Sequence, residues 1–309
     1  VLLALRTALA PALWGTTYLV ATEFLPYDHP MWIALLRALP AGLVLLALRP
    51  GLPRGSWWWR SLVLGALTVG AFFALLFVSA ARLPGGVAAT LGATQIVFVM
   101  LLAAPLLGER ITRRKLLVAA VSLIGVALLV LRGNAAFDLV GVLAGLGCAV
   151  SVAVGYVLTR TWGRPTANGV EVPLLTATAW QLLAGGLVLI PVALLTEGAP
   201  PAIDRVALGG FAWLTLLGTA LAYVIFFAGL HRLAAGQVAL LNLLSPVVAA
   251  LLGWAVAGQD MTAWQIIGMV LVLGAVGAGQ ASRPNRPDRT ATSDSDESFH
   301  QFRRVAPGK

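Results

Sequence analysis

The sequence predicts an all-α membrane protein of ten transmembrane helices arranged as two inverted five-helix repeats. Three observations predict it. Hydrophobic residues make up 59% of the 309 and charged residues 11%, with a mean hydropathy of +0.90. A soluble chain of this size needs a charged surface, which this one lacks. The apolar residues also fall in membrane-length runs with short gaps, so the length does not mean two soluble domains. Finally, Arg82-Leu83-x-x-Gly86 returns 150 residues later as Arg232-Leu233-x-x-Gly236, each leading into a long apolar run. Each copy holds five runs. An odd number sends the second copy into the membrane from the opposite side, an architecture common among transporters with alternating access.

Taken in order, the runs that reach about 20 mostly apolar residues are 3–23, 30–48, 58–80, 84–107, 114–131, 139–160, 171–195, 207–230, 235–257 and 263–281. The first is followed by further runs, so it reads as a span rather than a signal peptide. Turn chemistry such as Arg49-Pro50-Gly51-Leu52-Pro53 and Gly198-Ala199-Pro200-Pro201 fills the gaps. Residues 1–135 form the first repeat and 136–281 the second. After Ser282 the composition turns polar and Pro- and Ser-containing, so 282–309 is expected to be a disordered cytoplasmic tail.

The net charge of +9 would suit nucleic acid if it formed one amphipathic face. Instead the cations sit in the gaps, which excludes that partner and points to topology. An inside N-terminus puts 17 of the 21 Arg and Lys on the cytoplasmic side. Only Arg82, Arg132 and Arg205 then fall outside, with Arg37 within a span. Both termini are therefore expected in the cytoplasm. Cys148, the single cysteine, has no partner for an intrachain disulfide and no metal-ligand spacing, and reads as packing. No cofactor or metal is expected.

The repeat extends through both copies. Ala41-Gly42-Leu43-Val44-Leu45 matches Gly185-Gly186-Leu187-Val188-Leu189, which sets Arg37 opposite Gln181. Tyr18 falls opposite Tyr156 and Trp14 opposite Val152. Gly108-Glu109-Arg110-Ile111-Thr112 matches Gly258-Gln259-Asp260-Met261-Thr262.

Leu13-Trp14-Gly15, Arg37, Gly218-Thr219-Ala220-Leu221-Ala222-Tyr223 and the run Leu244-Ser245-Pro246-Val247-Val248 through Gly253 together resemble the EamA-type transporters of the drug/metabolite transporter superfamily. The resemblance covers residues 1 to about 281. It implies a ten-helix secondary transporter, usually an exporter, with both termini in the cytoplasm. Gln259 departs from it, because such proteins commonly carry Glu there, as this one does at Glu109.

Polar residues deep in a span mark the candidate site, since each costs several kcal/mol in lipid unless it meets a cavity or a partner. The substrate-binding candidates are Trp14, Tyr18, Arg37, Gln95, Tyr156, Trp180, Gln181, Tyr223, Asn242 and Ser245. The aromatics suit flat or apolar metabolites, and the amides and Ser245 supply hydrogen bonds. Arg37 has two readings: a counter-charge for an anionic substrate group, or an internal tie to backbone carbonyls or to Glu23. No Asp or Glu lies at mid-span, so Glu23 is the coupling candidate if protons drive transport; facilitated transport stays equally open. Pro40, Pro105 and Pro246 offer bends, and Gly141-x-x-x-Gly145 close helix contacts.

No H-E-x-x-H, G-x-S-x-G, P-loop or paired intramembrane carboxylate is present, so an enzyme is not expected. The leading expectation is an inner-membrane exporter of small metabolites (amino acids, related compounds or drugs). A channel-like or facilitative pore is the alternative. Substrate, direction and oligomeric state are not encoded in these patterns.

Overall fold

The computed structural model describes residues 2–26, 28–83, 85–130, 138–167, 169–256, 258 and 260–280, without the side chains of Tyr18 and a few other helical residues. The proposed tail, 282–309, and Gln259 lie outside the described residues.

Eight helical stretches are long and apolar enough to cross a membrane: Pro30–Leu48, Trp57–Ala80, Ala88–Leu107, Leu139–Trp162, Leu174–Thr196, Arg205–Leu230, Ala235–Ala255 and Ala263–Gln280. The protein is an all-α membrane protein. Beside these stand α1 (Leu2–Phe24) and α7 (Arg113–Val130), whose first turn carries Arg113, Arg114 and Lys115. The uninterrupted helices are α2 (Pro30–Leu48), α8 (Leu139–Trp162), α9 (Leu174–Thr196) and α14 (Ala263–Gln280). A two-residue antiparallel hairpin, β1 (Thr166–Ala167) and β2 (Val170–Glu171), joins α8 to α9. The Arg164 guanidinium pairs with the Glu171 carboxylate across it.

Four long stretches are interrupted, and each interruption has a local cause or a partner. The first runs as α3 (Trp57–Gly65), a π-helical turn Ala66–Ala71 and α4 (Phe72–Arg82). The corresponding stretch runs as α10 (Arg205–Thr215), a π-helical turn Leu216–Leu221 and α11 (Ala222–Leu230). The two π turns are 150 residues apart, the same offset as the Arg-Leu-x-x-Gly motif. A π turn holds one residue more than the α path and re-aims its carbonyls. In the second, the Ala222 N–H is shared between Leu217 O and Thr219 O instead of going to the Gly218 O an α-helix would use.

The other two stretches break rather than widen. α5 (Gly85–Ala93) stops at Thr94, whose hydroxyl donates to Leu91 O at 2.6 Å and so competes with the helical pattern, before α6 (Gln95–Leu107) resumes. α12 (Ala235–Leu241) stops at Asn242, and α13 (Leu244–Ala255) follows. Pro246 has no N–H to offer Asn242 O, which takes the Ser245 N–H at 3.1 Å instead. Pro246 therefore produces a break, as a bend-forming proline should. Pro40 and Pro105 lie inside helices the structure leaves continuous.

Small residues let the helices approach, the main source of affinity between helices in lipid. α7 meets α14 where a Cβ on Gly268 would lie 2.5 Å from Gly125 O. α2 meets α9 where a Cβ on Gly42 would lie 2.8 Å from Leu183 Cγ and one on Gly186 equally close to Leu39 Cγ. These two antiparallel pairs frame the molecule. α9 also packs on the π turn Ala66–Ala71, as α2 packs on Leu216–Leu221.

Candidate functional site

The site is built outward from the second π turn. Gly218 O accepts two hydrogen bonds from distant elements: Arg37 Nη2 of α2 at 2.8 Å and Trp14 Nε1 of α1 at 3.0 Å. Arg37 Nε also donates to Thr219 Oγ1 at 2.8 Å, and Nη1 to Thr17 Oγ1 at 3.5 Å. The Phe73 ring lies under the guanidinium, 5.4 Å from centroid to Cζ. No carboxylate of the described residues pairs with Arg37. The guanidinium is thus bonded to a backbone carbonyl and a hydroxyl of the π turn, with no bond to Glu23 among the described residues. Glu23 is exposed near the end of α1.

The first π turn is engaged in the same way. Thr68 O, 150 residues before Gly218 O, accepts from Tyr223 OH at 3.4 Å. Its neighbour Leu67 O accepts from Ser151 Oγ of α8 at 2.9 Å. Each π turn thus offers its redirected carbonyls to side chains of helices distant in sequence.

Between the two turns lies an aromatic cluster. Trp14 stacks edge-on against Tyr223 at 5.3 Å and packs on Phe226 at 5.1 Å, while Tyr156 packs on Phe226 at 4.9 Å. Asn242, at the α12–α13 break, donates from Nδ2 to Tyr156 OH at 3.0 Å. Its Oδ1 is buried with no partner among the described residues, as is Gln181 Oε1 on α9. A buried amide oxygen left without a donor costs about 1–3 kcal/mol, so both are places where a donor would be bound favourably.

The structure therefore brings together Trp14, Arg37, Tyr156, Tyr223 and Asn242. Gln181 is buried on α9 at the first π turn, where its carbonyl abuts Gly65. Gln95 and Ser245 are half-buried just beyond the two helix breaks, again 150 residues apart. Trp180 goes elsewhere: its Nε1 donates to Gly51 O at 2.8 Å, and Thr176 Oγ1 beside it donates to Arg49 O, so α9 grips the loop after α2. Tyr18 lies within α1, and its side chain is outside the described residues. Among the described residues no cluster of His, Cys, Asp and Glu could hold a metal.

Sequence reasoning did not single out Phe226, which joins the cluster, or the carbonyls of Thr68 and Gly218. A hydropathy pattern carries no signal for either. It also missed a groove of about 600 Å³ lined by Thr16, Leu19, Val20, Trp213 and Leu252, between α1, α10 and α13. Trp213 Nε1 donates to Thr16 Oγ1 there at 3.0 Å.

The sequence profile of the EamA-like transporter family matches this chain twice, over residues 2–131 and 139–278. The chain belongs to the EamA-like transporter family. Among curated relatives of this EamA member, Protein PecM of Dickeya dadantii (strain 3937) is 42% identical over 267 residues, covering 86% of this chain and 88% of PecM. A probable amino-acid metabolite efflux pump of Salmonella typhimurium is 28% identical over 281 residues, covering 86% and 90%. A solved crystal structure 21% identical in sequence has the same fold, with a TM-score of 0.75 over 89% of this chain and 95% of the other. The EamA protein is thus a multi-pass membrane transporter of the drug/metabolite transporter superfamily and not an enzyme.

Proposed function

We propose that this EamA protein is a ten-span secondary transporter that exports small organic metabolites across a bacterial inner membrane by alternating access. In this reading α1 and α7 join the eight apolar stretches as spans. Residues 1–135 and 136–281 are inverted halves, and both termini lie in the cytoplasm. The observation that carries the reading is the pair of π turns at one 150-residue offset, each receiving side chains from other helices around a shared aromatic and amide cluster. The twofold match of the family profile supports the duplication. Two halves meeting at a polar, aromatic centre can expose it to either side in turn.

Substrate contacts are assigned to Trp14, Tyr156, Tyr223 and Asn242, with Gln95, Gln181 and Ser245 bordering the path. Asn242 Oδ1 and Gln181 Oε1 accept from the cargo. Because Arg37 is committed to the π turn, the cargo's recognition rests on its donors and its flat or apolar body, not on a carboxylate. The efflux-pump relative makes amino acids and related metabolites the compounds to test first. Glu23, exposed and unpaired with Arg37, gives proton coupling no buried relay.

The test is counterflow in proteoliposomes loaded with an unlabelled amino acid or aromatic metabolite. A carrier accumulates labelled substrate transiently and saturably. Asn242→Ala is expected to raise the half-saturation concentration about five- to tenfold, the cost of one buried hydrogen bond. Linear, unsaturable flux would favour a channel-like or facilitative pore and refute the carrier.

A further inference from the structure

Glu109 follows α6 in the first proposed half, yet its carboxylate is spent on the second. Oε1 accepts the Ala235 N–H at the start of α12 at 2.7 Å. Oε2 lies 3.6 Å from Lys115 Nζ of α7, and the Glu109 side chain is only 14% exposed. The first N–H groups of a helix have no partner within it, and the helix dipole favours an anion there. A charged acceptor makes such a bond about twice as strong as a neutral one. Gln280 Nε2 of α14 donates to Gln237 O two residues further along α12, so three elements converge on this end.

Another carboxylate bridges the proposed halves at the opposite face. Glu197, after α9, accepts the N–H groups of Met31 and Trp32 at the start of α2. That bond joins helices already packed through Gly42 and Gly186. The Glu109 bond instead joins α6 and α12, the parts of the two halves that lie just after and just before chain breaks. At the same step of the second copy the sequence reads Gly258-Gln259-Asp260 instead of Gly108-Glu109-Arg110. One copy thus carries an anion where the other carries an amide.

We propose that Glu109 is a positioning residue of the transport cycle, a charged latch that holds the carrier closed on the cytoplasmic side. This rests on the alternating-access reading above. Opening inward requires breaking the bond between Glu109 and Ala235, a contact that crosses between the halves on that side, as Glu197 crosses on the other. Cargo loading from the cytoplasm is then the step that Glu109 controls.

Met100 reports on the latch. It is 7% exposed, and its Cγ lies 3.6 Å from where a Cβ on Gly236 would sit. Met100→Cys in a Cys148→Ser background is treated with a water-soluble maleimide in inside-out vesicles. Labelling is expected to be slow with Glu109 intact, about tenfold or more faster with Glu109→Gln, and slow again with Glu109→Asp. In a separate Glu109→Gln protein that keeps Met100 and Cys148, the native thiol, 1% exposed, stays unlabelled, which separates latch opening from general loosening. Labelling of Met100→Cys at the parent rate in Glu109→Gln overturns the proposal. Should that variant fail to accumulate, Ala235→Pro decides, since it removes the N–H donor at the first position of α12, where a helix tolerates proline, and keeps the carboxylate; faster labelling supports the latch and unchanged labelling refutes it. Faster labelling of Glu109→Gln in a protein that shows no saturable counterflow supports the latch and overturns the carrier reading instead.

Discussion

Replacing Arg37 by methionine keeps much of the length of the side chain and removes the guanidinium, which isolates what the charge does. Two short bonds are lost, to Thr219 Oγ1 and Gly218 O, both 2.8 Å. At about 1.5–3 kcal/mol for each charged hydrogen bond, the gross loss is about 3–6 kcal/mol. Taking a guanidinium out of water costs several kcal/mol, which the variant no longer incurs. Gly218 O also keeps the Trp14 indole as a donor. The expected net destabilisation is therefore modest, about 1–3 kcal/mol, read as a lower midpoint of thermal unfolding in detergent. Thr219→Val makes the measurement specific. In a double-mutant cycle, groups in direct contact couple by about 0.5–3 kcal/mol, and Arg37 with Thr219 should fall in that range. An Arg37→Met protein as stable as the parent, with no coupling to Thr219, would refute the tie. Selective loss of anionic substrates with stability unchanged would restore the counter-charge reading.

Two further outcomes follow from the geometry. Gly268→Ala places a methyl 2.5 Å from Gly125 O and 2.6 Å from Leu129 N, backbone atoms that cannot yield, and should cost about 1–3 kcal/mol of overpacking. Gly274→Ala on the same helix meets nothing within 4 Å and should be neutral or stabilising by up to about 1 kcal/mol through helix propensity. Equal midpoints for the two would show that α7 and α14 do not pack as described. His231, just beyond α11, is held down to about 4 by burial and by the cationic Arg164 and Arg160, against the raising effect of Glu171. Between the ordinary value of 6.5 and about 4, the unfolded chain takes a proton that the folded one refuses. Stability should thus be level above about 6.5 and fall as pH drops toward 4. His231→Gln should flatten that slope in pH-resolved unfolding; an unchanged slope would assign it to other groups.

The long helices were legible in the sequence because membrane length and apolarity are properties of composition. The run 30–48 is α2 to the residue, and the runs 139–160 and 263–281 end within two residues of α8 and α14. The 150-residue spacing of the two π turns was legible from one arginine-leucine pair. What the sequence concealed was hydrogen-bond register. Ala66–Ala71 and Leu216–Leu221 are as apolar as their neighbours, so nothing in hydropathy separates a π turn from an α turn. The break at Asn242 had a visible cause in Pro246, whereas the one at Thr94 depends on which carbonyl a hydroxyl chooses. Site residues were legible as types and not as partners. Arg37 and Asn242 stand out in any apolar span, but that Arg37 meets Gly218 O, 181 residues away, is set by tertiary packing. Trp180 reads as a site residue for being aromatic and central in its segment, while its indole closes onto the loop at Gly51.

The extra residue in each π turn is also an angular offset. Successive helical residues are about 100° apart around the axis, so everything after Leu221 is turned by about that much relative to an unbroken α-helix continuing from α10. Tyr223 and Phe226 face Trp14 because of that turn. A deletion of one residue between Leu216 and Leu221 would leave the composition and the span length almost untouched, and every side chain of the aromatic cluster in the chain. It would nonetheless rotate the aromatic face of α11 toward a different neighbour. The site is thus set by the phase of two helices as much as by the residues they carry.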